Sequence, residues 1–228
     1  GGRRASDQVM LTASQLFERY APETDDAMDL LRQLAREAHL VIKLTAVSSE
    51  EEPHSTLAAF LINPGGDCYW IHTGDSRIYH FKGQRFIKRT LDHSYVQELV
   101  NRGEITEEEA NSHPDSNVLT ACLGTEKDPP MAMHFIPALK SGDVLMACSD
   151  GIWHYLSTEE LGVALSGLSA REATEFLIDK ALSRGQGGND NLSLVVVKLE
   201  PLDDGSRVAA RPDSRPTRDL TTCRQGLG

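Results

Sequence analysis

The spacing of apolar residues changes twice along this chain, and that change narrows the available folds more than any other feature. Val9, Ala13, Leu16, Phe17 and Tyr20 fall at i, i+4, i+7, i+8 and i+11, one stripe along a helix. Met28, Leu31, Leu34, Ala35, Ala38, Val41 and Ile42 repeat the pattern; Pro22 separates the two helices and a polar loop over 48–53 ends the pair. Short β-branched and aromatic runs follow at 55–62, 67–73, 77–81 and 85–90, punctuated by Pro64-Gly65-Gly66, Gly74-Asp75 and Lys82-Gly83. These predict an antiparallel meander, its last turn a tight hairpin because Gly83 can take positive φ.

A helical insert comes next. Val96, Leu99 and Val100 form a stripe that stops at Gly103, and Thr106 with Glu109 makes a capping box for a very short helix ending near His113-Pro114. Strands are expected again at 118–123, 132–136 and 143–148. Two capped helices follow, Ser157 paired with Glu160 and Ser169 with Glu172, the second closing at Gly185 before a last strand over 192–199. Residues 201–228 carry too little apolar content to bury and are expected to form a disordered tail. Segregated strands and helices point to an α+β layered fold rather than alternating βαβ units.

Composition removes some partners. With 23 basic against 34 acidic residues the net charge is −11, which argues against nucleic acid or an anionic membrane as the main partner. No apolar run approaches a membrane span and no secretory signal is visible, so a cytoplasmic setting is expected. Cys68, Cys122, Cys148 and Cys223 form no C-x-x-C pair and read as small hydrophobes in a reducing compartment.

Three segments place aspartates among turn-forming residues at strand ends: His72-Thr73-Gly74-Asp75-Ser76-Arg77, Cys148-Ser149-Asp150-Gly151, and Gly187-Gly188-Asn189-Asp190-Asn191. Mg²⁺ and Mn²⁺ favour carboxylate and water oxygens in near-octahedral arrangement, and a short side chain on a rigid turn suits them. Asp-Gly and Asn-Asp are also ordinary turn pairs. From the residues alone, a hard-cation site and three plain turns both stand.

The same segments carry a resemblance. His72-x-Gly-Asp-Ser-Arg, Leu91-Asp92-His93-Ser94, Gly103-Glu-Ile-Thr-x-Glu-Glu-Ala110, His113-Pro114, the run from Asn117 to Gly124, Ser141-Gly-Asp143, Cys148-Ser-Asp-Gly151 and Asn189-Asp-Asn191 occur in an order similar to the bacterial branch of the metal-dependent Ser/Thr protein phosphatase (PPM) family. The resemblance implies a four-layer sandwich, two antiparallel sheets flanked by helix pairs, over residues 1–200. It implies that Asp150 and Asp190 are ligands of a binuclear Mn²⁺ or Mg²⁺ centre and Asp75 a ligand of a third, weaker site. Residues 92–119 would form a mobile flap beside the site, with Asp92, His93, Ser94 and His113 on its substrate side. The implied reaction is hydrolysis of phosphoserine and phosphothreonine in proteins by metal-activated water, opposing Ser/Thr kinases, with no covalent intermediate. Phosphorylated proteins and a cognate kinase are the implied partners.

One departure accompanies it. The family carries an Asp-Gly-x-Gly-Gly motif, and Gly1-Gly2 resemble its last two residues, so the N-terminal strands, a bridging Asp and a phosphate-binding Arg are expected to precede Gly1. Many bacterial members place His after the glycine pair, where Arg3 stands. A catalytically silent phosphatase-like module that binds a kinase or phosphoprotein is therefore the competing expectation. The histidines lack zinc spacing, and His39, His80 and His154 are expected to be packing or surface residues. Met131 and Met133 alternate as core-filling strand positions.

Overall fold

A computed structural model describes residues 2–47, 52–185 and 191–201. Helices α1 (Gly2–Phe17) and α2 (Ala27–Val47) open the chain, followed by strands β1 (Leu57–Ile62), β2 (Cys68–Thr73), β3 (Arg77–Lys82) and β4 (Arg85–Arg89). The insert supplies α3 (Tyr95–Asn101) and α4 (Glu107–Asn111). Then come β5 (Ala132–Ile136), β6 (Asp143–Cys148), α5 (Asp150–Trp153), α6 (Thr158–Gly167), α7 (Ala170–Gly185) and β7 (Leu194–Lys198).

The strands form two antiparallel sheets, ordered β1-β2-β5 and β4-β3-β6-β7. Alternation along each strand assigns every side chain to a layer. On β2, Cys68 and Trp70 point between the sheets, where they meet Ile78 of β3 and Leu145 of β6. Ile71 points the other way, into a cluster with Leu57, Leu61 and the α2 residues Leu31, Leu34, Ala35, Ala38 and Ile42. Tyr79 and Phe81 of β3, with Val144 and Met146 of β6, pack outward against Leu161, Leu165, Ala173, Leu177 and Ala181 of α6 and α7. Burying each of the larger side chains is worth about 1.5–3 kcal/mol, which is what holds the helix pairs on the sheets. The result is the expected α+β four-layer sandwich.

Local signals predicted local structure well. All three capping boxes are present, at Thr106/Glu109, Ser157/Glu160 and Ser169/Glu172. Gly103 follows α3 with φ +72°, and Gly83 turns the β3–β4 hairpin with φ +56°. Two expectations need correction. The four strands from 55 to 90 are not one meander, because the chain crosses from one sheet to the other between β2 and β3. Residues 118–123 form no strand; Leu119 and Leu123 make single bridges to Ser94 and Ser55. Tyr95 N donates to the Val118 carbonyl and Thr120 N to that of His93, framing the first bridge, and by Leu123 the partner has changed to Ser55, so neither pairing extends into a ladder. The tail expected at 201–228 lies, after Pro201, outside the described residues, as does Cys223.

Candidate metal centre

The sheet crossover makes the first part of the site. Gly74 has φ +96°, and a Cβ there would lie 2.4 Å from Thr56 Cγ2, so this tight turn requires glycine. Thr56 Oγ1 and Ser76 Oγ lie 2.7 Å apart, fixing the far side of the turn to the segment before β1. His93 grips the near side: its backbone N donates to the Gly74 carbonyl at 2.9 Å, and its Nδ1 accepts from Gly74 N at 3.1 Å. Asp75 is thereby held at the end of both sheets.

Asp150 comes to the same end from β6. Its segment reads in sequence as turn-forming residues at a strand end, and in the structure Asp150 stands in the first turn of the short helix α5, after Ser149. Ser149 also anchors the approach to β7: its N donates to the Ser193 carbonyl, and its Oγ donates to the Asn191 carbonyl at 2.8 Å and accepts from Ser193 N at 3.0 Å. A Cβ on Gly151 would lie 2.7 Å from the Asn191 carbonyl oxygen, so only glycine admits this approach. Asp190 itself lies outside the described residues.

Asp75 senses this arrangement electrostatically. Burial pushes its carboxyl up to about 6, and the charges of Asp150 and Asp92 push the same way against a smaller opposing effect of Arg77. Cys122 is close enough for Asp75 to act on it as well: burial raises the thiol, and the Asp75 charge adds to that. Among the described residues no three His, Cys, Asp or Glu side chains converge as a metal cluster.

The expected flap residues have clear positions. Asp92 is buried at the root of the insert, where it accepts from Arg77 Nε and Nη2 at 2.9 and 2.7 Å. His93 stacks on His72 with ring centroids 4.9 Å apart, and burial lowers its pKa, as does the neighbouring His72. Ser94 is buried and caps α3, accepting from Gln97 N. His113 is further out, its Nδ1 accepting from Asp115 N at 3.1 Å and its ring edge-on to Tyr95. A cleft of about 290 Å³ separates α3 and α4 from the α5–α6 junction, with Arg77, Arg89, Asp92, Glu107 and Trp153 among its walls. Arg89 bridges toward Asp92 at 3.9 Å and Glu107 at 3.2 Å, linking α4 to the edge of the sheet.

Trp153 lies outside every motif read from the sequence. Its Nε1 donates to the backbone carbonyl of Asp75 at 2.9 Å, and its ring lies 3.5 Å from the guanidinium carbon of Arg77. The available signal was general: a tryptophan next to a candidate ligand needs a partner for its N–H when buried.

Known proteins share both fold and sequence with this chain. Serine/threonine phosphatase stp of Listeria welshimeri is 30% identical over 214 residues, covering 90% of this chain and 83% of that protein. Protein phosphatase PhpP of Streptococcus pneumoniae is 34% identical over 135 residues, 59% of this chain and 54% of that protein, so the match spans about half its length. The crystal structure of the Mycobacterium tuberculosis serine/threonine phosphatase PstP/Ppp superposes with a TM-score of 0.76 at 31% identity, covering 87% of this chain and 83% of that one. A second PstP catalytic-domain structure, in complex with two manganese ions, gives a TM-score of 0.72 at 29% identity over 88% and 82% of the chains. No protein-family model matches the chain. The chain belongs to the bacterial branch of the PPM serine/threonine protein phosphatases.

The residues present fit a hard divalent cation. Asp75 is a half-buried carboxylate whose ionisation is opposed by burial and by Asp150 and Asp92, an excess of negative charge that a cation would relieve, and the candidate ligands are all oxygen donors.

Proposed function

We propose that this protein hydrolyses phosphoserine and phosphothreonine in proteins, using Mn²⁺ or Mg²⁺ held by Asp75, Asp150 and Asp190. The observation that carries the reading is the Asp75–Asp150 pair, two carboxylates brought to one end of the sandwich where burial opposes ionisation of the first. The close fit of Asn191 against Ser149 and Gly151 supports a role for its neighbour Asp190. Bound there, the cations would lower the pKa of a water and neutralise phosphate charge during in-line attack.

The chain's own residues supply the frame. Gly74 and Gly151 allow the backbone approaches, and His93 and Trp153 hold the Asp75 turn from opposite sides. The insert over 92–119 forms one wall of the adjoining cleft and acts as the substrate-side flap, with Asp92 and Ser94 fixing its root and His113 on its outer part. Phosphorylated proteins, among them a cognate Ser/Thr kinase and its substrates, are the partners on this reading. No helix of the described residues is long and apolar enough to cross a membrane, and Cys68, Cys122 and Cys148 are free thiols, which supports a cytoplasmic setting. The test is phosphate release from a phosphothreonine peptide with Mn²⁺ and with a chelator. Release only with metal is expected; peptide binding without release would instead favour the silent module.

A further inference from the structure

Arg77 and Trp153 join the two halves of the candidate centre. Helix α5 carries Asp150 at its first position and Trp153 at its last. From that end the indole Nε1–H reaches the Asp75 backbone carbonyl at 2.9 Å. The spacing between the Asp75 turn and the helix bearing Asp150 is therefore spanned by one side-chain hydrogen bond.

The indole is itself braced. The Arg77 guanidinium carbon lies 3.5 Å from the ring centroid, a close cation–π contact. Arg77 is held there by Asp92, which accepts from Nε at 2.9 Å and from Nη2 at 2.7 Å, while Nη1 donates to Tyr79 Oη at 3.2 Å. The guanidinium and carboxylate are both close to fully buried, with side chains 12% and 4% exposed, so this geometry is tightly constrained. Asp92 begins the insert, so the root of the flap, β3, α5 and the Asp75 turn form one continuous set of contacts.

We propose that Arg77 and Trp153 are positioning residues, which hold the Asp75 turn at a fixed distance from Asp150 and so set the affinity of the site for its divalent cation. This rests on the reading of Asp75 and Asp150 as cation ligands. Neither residue is placed on the phosphate; each acts through the turn. A purely packing role predicts something different, because phenylalanine at position 153 keeps most of the ring and loses only the donor.

The test is calorimetric titration of Mn²⁺ into wild type, Trp153→Phe and Tyr79→Phe at one pH, with melting temperatures measured in chelator. Changes to groups that orient metal ligands commonly weaken binding 10–100-fold. We expect Trp153→Phe to bind Mn²⁺ about tenfold more weakly at a near-unchanged metal-free melting temperature, with turnover restored by raising Mn²⁺. Tyr79→Phe, which removes the oxygen that accepts from Arg77 Nη1 without altering the charge near Asp75, should shift the affinity in the same direction and decides the matter if Trp153→Phe fails to fold. Mn²⁺ affinity within twofold of wild type in the folded variants would overturn the inference. Phosphate release is scored separately. A wild type that binds Mn²⁺ without releasing phosphate counts against the phosphatase reading, and the calorimetric comparison still decides this one.

Discussion

Asp75 shows how a functional carboxylate works against the fold that carries it. Burial first, and then Asp150 and Asp92, push its carboxyl from the ordinary 3.8 up to about 6. A carboxylate with a raised folded pKa destabilises the native state once ionised. The penalty is absent below about pH 4, grows as pH rises through the window up to about 6, and is complete above it. Asp75→Asn should therefore stabilise the metal-free protein at pH 7.5, on the order of 1–3 kcal/mol, and have little effect at pH 3.5. Chemical denaturation in chelator at the two pH values would check this; equal effects at both would mean the carboxylate is not strained. Divalent cation should narrow or reverse the difference, since the wild type would gain more from binding than the variant. The strain was not legible in the sequence, which showed Asp75 only as a turn residue next to glycine. It arises from Asp150 and Asp92, which lie far away along the chain and close by in space.

At the scale of elements, the helix pair on the outer sheet and the flap are held by different means. Glu160 of α6 accepts from Lys180 Nζ at 2.8 Å and from Arg184 Nη1 and Nη2 of α7 at 2.7 and 2.6 Å, while also capping its own helix through Ser157 N. Arg184 first and then Lys180 hold this carboxyl well below the usual carboxylate range. Its contribution is present above the unfolded pKa and is lost as pH falls toward the folded one. Glu160→Gln should cost about 1 kcal/mol at neutral pH, discounted because the group is partly exposed to screening solvent. Urea denaturation in low and high salt would test it, and an equal loss at both would assign the effect to the cap alone. The flap has no such clamp on its outer part. Helix α4 has no buried residue, and its link to the sheet is the exposed Glu107 on Arg89. Amides over 103–117 should exchange much faster than those of β6, whose Val144, Leu145 and Met146 are almost fully buried. Protection equal to that of β6 would make the insert rigid scaffold. The capping boxes and Gly103 were readable because each signal is contained within a few residues. The missing strand at 118–123 was not, because its run changes partner midway, from the Ser94 segment at Leu119 to Ser55 at Leu123.

For the whole molecule, layer order was readable and sheet membership was not. Alternation assigns Cys68 and Trp70 to one face of β2 and Ile71 to the other in any two-layer arrangement, so the α+β sandwich followed from pattern and from the resemblance. The crossing at 74–76 leaves that alternation unchanged, so a single meander and two sheets look alike in sequence. Yet the crossing is what makes the site, since it brings Asp75 from the β1-β2-β5 sheet to Asp150 at the end of the other. On this reading Asp150 holds a cation on which phosphate release depends. Phosphate release from a phosphothreonine peptide at saturating Mn²⁺ by Asp150→Asn, compared with wild type, tests it most directly, because the amide keeps the shape and removes the charge. Release is expected to fall at least a hundredfold while the folded far-ultraviolet spectrum is kept; release within a few-fold of wild type would overturn the assignment.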